Sequence, residues 1–99
     1  MTPIRFLQEA EEELRVAAQS YEKAQLGLGR AFVDQVRRSI RRIAEYPLAA
    51  RVERDDIRIR SIARFPYRVY YRVRPEEVLI VAIGHRRRRA GFWRSRAES

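Results

Sequence analysis

The sequence predicts an α+β domain, with a short N-terminal strand and a helical hairpin packed on an antiparallel β-sheet. Three observations carry this expectation. Up to Pro47 the apolar residues recur at three- and four-residue spacing, beyond it they alternate with arginine, and from Val78 to Ile83 every position is apolar. The first pattern belongs to helices, the second to half-buried strands, and the third to a central strand covered on both faces.

Ile4 to Leu7 reads as the first strand, and Pro3 before it points to an edge, because proline has no N–H to give to a ladder. From Gln8 to about Gln25, the residues Ala10, Leu14, Ala17, Ala18, Tyr21 and Ala24 share one helical face. Glu9, Glu11, Glu12 and Glu13 gather at the start of this helix, where its dipole favours acid. Gly27 and Gly29 supply a break, after which Phe32, Val36, Ile40 and Ile43 form the stripe of a second helix that Pro47 ends. Arg37, Arg38, Arg41 and Arg42 lie off that stripe, so the outer face of the second helix is a basic band; ordinary solvation is the commonest fate of such a face.

Beyond Pro47, Ile57-Arg58-Ile59-Arg60 and Tyr67-Arg68-Val69-Tyr70-Tyr71-Arg72-Val73 read as half-buried strands. Phe65-Pro66 and Arg74-Pro75-Glu76-Glu77 are the turns of a three-stranded antiparallel meander, which a basic tail from His85 to Arg96 closes. With Ile57, Ile59, Val69, Tyr71 and Val73 toward the helices, Arg58, Arg60, Arg68, Tyr70 and Arg72 project together from the opposite face. Phe92 and Trp93 either pack the tail onto the domain or stack on a partner.

A chain of 99 residues suits one domain, spanning 1–99, and 45% apolar content is enough for a core. Lysine plus arginine outnumber the acids 22 to 13, a formal net charge of +9, and every cation but Lys23 is arginine. Arginine's planar fork pairs with phosphate and carboxylate, so nucleic acid, the ribosome or an acidic protein segment are the fitting partners. With no cysteine and one histidine, neither a disulfide framework nor a zinc cluster is expected, and no cofactor is implied. No signal-peptide stretch and no membrane-length apolar run occur, so the expected location is cytoplasmic, without a membrane partner.

The stretch Arg64-Phe65-Pro66-Tyr67-Arg68-Val69-Tyr70-Tyr71-Arg72-Val73, then Val78 to Ile83, then His85-Arg86-Arg87-Arg88 and Phe92-Trp93-Arg94, resembles the carboxy-terminal signature of RelE/ParE toxins of type II toxin–antitoxin systems. The helical hairpin ending in Tyr46-Pro47 is similar to the section that precedes it in that family. The resemblance spans nearly the whole chain. It implies a toxin that arrests growth, a cognate antitoxin that covers it, and repression of their operator DNA by the complex.

The family divides by target. RelE-like members cut messenger RNA on the ribosome, which takes an acid–base group and cations to stabilise the phosphorane-like charge. The resemblance puts Arg58, Arg60, Arg68 and Arg86 in the basic cluster of such members, with His85 as the proton-transfer candidate, because Phe92 and Trp93 stand where a tyrosine or histidine is common. ParE-like members poison DNA gyrase and need no catalysis of their own. Two long helices, the basic second helix and the missing acid–base tyrosine tip the expectation slightly toward this branch, with Arg37, Arg38, Arg41, Arg72, Arg87, Phe92 and Trp93 as antitoxin- or target-binding residues. A basic nucleic-acid-binding module without toxicity is a further alternative.

Overall fold

The computed structural model describes residues 1–96; the end of the expected 1–99 domain lies outside the described residues. The elements run β1 (Ile4–Phe6), α1 (Gln8–Ala24), α2 (Leu28–Glu45), β2 (Val52–Arg54), β3 (Ile57–Ser61), β4 (Tyr67–Val73) and β5 (Val78–His85). One five-stranded sheet has the order β1-β5-β4-β3-β2. Among the described residues only β1 and β5 pair in parallel, and β1 takes the edge that Pro3 predicts. No described helix is long and apolar enough to cross a membrane.

The hairpin of helices is fixed by Glu22 near the end of α1. Its carboxylate accepts the N–H groups of Gly27 and Gly29 at 2.9 and 3.0 Å, which caps the exposed donors at the start of α2. Gly27 alone breaks the helix, with φ +89 in the left-handed region. Gly29, expected as part of the break, lies inside α2, where a Cβ would come within 2.5 Å of the Ala18 carbonyl oxygen. Its missing side chain lets the two helices touch.

The main core lies between helices and sheet. Ala10 and Ala17 of α1 and Phe32, Val36 and Ile43 of α2 meet Val69, Tyr71, Val78, Ile80 and Ile83. A smaller core covers the other face, where Trp93 and Phe92 of the tail pack with Leu7, Ile57, Tyr70, Leu79, Val81 and Ala82. That second layer explains why β5 is apolar from Val78 to Ile83. A register shift opposite Tyr70 and Tyr71 turns both Val81 and Ala82 to the tail side, so strict alternation fails there.

Two features depart from the sequence expectation. The short β2 strand extends the sheet through a two-residue turn at Asp55 and Asp56, both with positive φ, a turn type whose twist matches that of a hairpin. More importantly, β3 has the opposite phase. Ile57 and Ile59 pack with Tyr70 and Trp93 on the tail face, while Arg58 and Arg60 stand across from Tyr71 and Val69 on the helix face. The helices do not reach β3 in strength, so the tail's aromatics offer its isoleucines the better burial.

Candidate functional site

The tail is held by a clamp that the sequence does not announce. Beyond Leu7 the β1 chain turns into α1, leaving the distal half of β5 without a neighbouring strand on that side. The Glu13 carboxylate there accepts the Ile83 N–H at 3.0 Å, and the Arg96 guanidinium donates to the Val81 carbonyl at 2.8 Å and to Glu13 at 2.9 Å. Glu13 and Arg96 thus stand in for a missing strand, satisfying backbone groups that would otherwise be buried unpaired. Hydrogen bonding to the Glu13 carboxylate raises the pKa of Arg96 further, so the guanidinium stays charged.

Above the clamp the tail crosses the sheet. The Phe92 ring meets Tyr70 edge-on at 5.1 Å and carries the Arg88 guanidinium 4.0 Å from its centroid. Gly84 makes this crossing possible, because a Cβ there would lie 2.7 Å from Phe92 Cζ. Trp93, only 4% exposed, is packing material rather than an open stacking platform.

The phase of β3 splits the predicted arginine cluster. Arg58 donates to the carbonyls of Leu48 and Ala50, tying the chain after α2 to the sheet. Arg60 is also on the helix face. Arg72, half-buried, donates to the Asp55 carbonyl at 3.3 Å. Arg68 and Arg86 remain together on the tail face, where they line a pocket of about 260 Å³ with Arg54, Arg88, Arg89 and Tyr70.

His85 does not join them. Its partner across the ladder is Tyr67, whose ring lies 5.3 Å away, and both line a groove against α1 with Glu12, Glu13, Val16 and Arg88. The imidazole Nδ1 accepts the Arg87 N–H at 3.0 Å, as a strand-end histidine with a structural role does. Arg68 follows Tyr67 in β4 and so points to the opposite face, while Arg88 lines both the His85 groove and the pocket of Arg68 and Arg86.

Elsewhere, Arg37 and Arg41 flank an apolar groove of about 510 Å³ lined by Ile4, Phe6, Leu14, Val33, Val36 and Ile40. Arg38 and Arg87 are exposed. Among the described residues no group of three or more His, Asp and Glu side chains is arranged to hold a metal ion.

The tyrosines give the domain a pH limit. Burial raises the phenol pKa of Tyr21, Tyr70 and Tyr71 above the ordinary 10.0; at Tyr70 the Arg68 guanidinium, and at Tyr71 Arg58, pull the other way without cancelling it. The Tyr71 hydroxyl also donates to the Pro47 carbonyl at 3.2 Å. A neutral form favoured by folding stabilises fully below the unfolded pKa and is lost as pH rises through the folded one. Urea unfolding should therefore show stability falling as the pH climbs above 10.0, with phenolate absorbance rising as the protein unfolds.

Comparison with known proteins gives two findings. Residues 4–90 match the family described as ParE toxin of type II toxin-antitoxin system, parDE. Among solved structures, a chain of the chromosomal ParDE TA system from P. aeruginosa superposes with a TM-score of 0.74 at 18% identity, covering 86% of this chain and 96% of that one. At that identity the likeness establishes the fold. No curated protein matches the sequence.

Proposed function

The chain belongs to the ParE toxin family of type II toxin–antitoxin systems, and from that premise we propose that it is a cytoplasmic toxin that arrests growth by inhibiting DNA gyrase. The observation that supports this target is that His85 lines the groove against α1 and not the pocket of Arg68 and Arg86, with its Nδ1 taken by the Arg87 N–H. General acid–base cleavage of RNA needs a proton-transfer group within hydrogen-bond reach of the cation-stabilised phosphate. Neither Phe92 nor Trp93 can supply one, and the Tyr70 phenol in the pocket wall is held protonated by burial and hydrogen-bonded with Arg68. An inhibitor that acts by binding alone has no such requirement.

A cognate antitoxin keeps the toxin inactive. The groove between β1 and α2 is apolar along its floor and basic at Arg37 and Arg41, which fits an amphipathic segment with acidic flanks. Arg38, on the same helix, extends this charge outward, and the complex would reach operator DNA through the antitoxin. Arg72, Arg87, Phe92 and Trp93, also expected at a partner interface, divide between packing and exposure: Arg87 is the exposed one. Expression of the chain without antitoxin should stop DNA synthesis before protein synthesis, measured by separate pulse labels. The reverse order, with cut messages, would favour a ribosome-dependent nuclease.

A further inference from the structure

At the side of the sheet opposite β1, the outer edge of β2 pairs with no strand among the described residues. An open edge presents a row of N–H and C=O groups that can template pairing with another chain. All three residues of β2 are exposed, and it carries neither the proline nor the lysine that usually blunts such an edge. The register shift against β3 leaves Glu53 without a partner residue there.

The chain leading into β2 is apolar on its outside. Tyr46, Leu48 and Val52 are 61%, 65% and 45% exposed, which gathers three of the large exposed apolar side chains into one short stretch. The backbone that carries them is fastened from beneath. The Tyr71 hydroxyl donates to the Pro47 carbonyl at 3.2 Å, and the Arg58 guanidinium donates to the carbonyls of Leu48 and Ala50. A surface loop ordinarily does the reverse, turning polar side chains outward on a mobile backbone. Apolar side chains on a fixed backbone lose less entropy on docking than mobile ones would.

Charge narrows the choice of partner. The chain carries +9 overall, yet from Glu45 to Asp56 four acids stand against two arginines. Two copies repel least where their shared positive charge is cancelled locally. An antiparallel pair of β2 strands with its two-fold axis at Val52 sets Val52 against its own copy. The same register puts Arg51 opposite Glu53 of the second copy, twice by symmetry. Arg51 and Glu53 are exposed and make no ion pair among the described residues, although Glu53 also lines the tail-face pocket beside Arg54.

We propose that the toxin pairs with a second copy of itself through β2, continuing the sheet across a two-fold axis, with Val52, Leu48 and Tyr46 supplying the apolar contact. The groove between β1 and α2 belongs to the opposite edge of the sheet and stays open in such a dimer. The inference does not rest on the gyrase reading. A contact this short suits a weak dimer, with Kd on the order of 10 µM.

Sedimentation equilibrium of the purified toxin, from about 1 to 300 µM, should show the weight-average mass climbing from one chain toward two. Val52→Lys should weaken association by about tenfold or more and leave Tm unchanged, because the side chain is exposed in the monomer and lysine suits a free edge. Arg51→Glu and Glu53→Arg, made singly, set like charges opposite each other twice and should each weaken it about fivefold. Made together they restore opposed signs, and the affinity should return to within about threefold of the native. Arg51→Glu is the decisive variant, since it lowers the net charge and would strengthen any association governed by overall repulsion. A monomer throughout the range would overturn the proposal. So would a dimer that Val52→Lys leaves intact, or a double reversal that associates no better than the single ones.

Discussion

Phe32→Ala is expected to destabilise the domain by about 3–5 kcal/mol, the cost of removing a fully enclosed aromatic ring. The Phe32 side chain is 0% exposed and touches three rings, with centroids 5.2 Å from Tyr21, 5.1 Å from Phe65 and 5.1 Å from Tyr67. Tyr21 belongs to α1, Phe65 to the β3–β4 loop and Tyr67 to β4, so this one ring joins both helices to the sheet. The tilted and edge-on geometry adds to area burial, and no neighbour is free to collapse into the hole. Thermal unfolding should show Tm falling by on the order of 15 °C or more, given the small size of the domain. A loss near 1 kcal/mol would mean that the cluster relaxes as a liquid would, against the close packing of protein interiors.

Glu13→Ala is expected to cost about 2–4 kcal/mol, because it strands the Ile83 N–H and leaves the Arg96 guanidinium without its counter-charge. The range lies below that for a deeply buried pair, since the two side chains keep 19% and 12% of their exposure. The tail should loosen as well. Trp93 emission would shift to the red and proteolysis after residue 84 would quicken, while the helical hairpin stays intact. Denaturant unfolding followed by circular dichroism and by Trp93 fluorescence separates the two effects: coincident curves would contradict a clamp specific to the tail.

Much of this architecture was legible because it is repetitive. Long apolar stripes marked α1 and α2 to within a residue or two, and β4 lies where alternation put it, at Tyr67–Val73. The phase of β3 was not legible. Ile-Arg-Ile-Arg buries its isoleucines equally well on either face, and the choice is made by Tyr70 and Trp93, the latter more than thirty residues downstream. The same tail decides that Arg68 and Arg86 share a pocket while Arg58 is occupied by the Leu48 and Ala50 carbonyls. The short β2 strand escaped notice because all its residues are exposed, leaving no burial pattern to read. Glu13 was one of four glutamates at the start of a helix, and nothing local distinguishes it. Its role exists only because β1 ends opposite Ile80, short of the β5 groups it satisfies. The basic character of the chain, by contrast, was plain from composition, whereas the distribution of that charge over the two faces needed the fold.

The proposed toxin acts on gyrase by binding and not on messenger RNA by catalysis. The most direct test of this is the order of arrest in cells expressing the chain without its antitoxin, followed over minutes by parallel pulse labels for DNA and protein synthesis. DNA synthesis is expected to fail first, with a DNA-damage response, and His85→Ala to leave the arrest unchanged. Early collapse of protein synthesis with cleaved messages, abolished by His85→Ala, would contradict it.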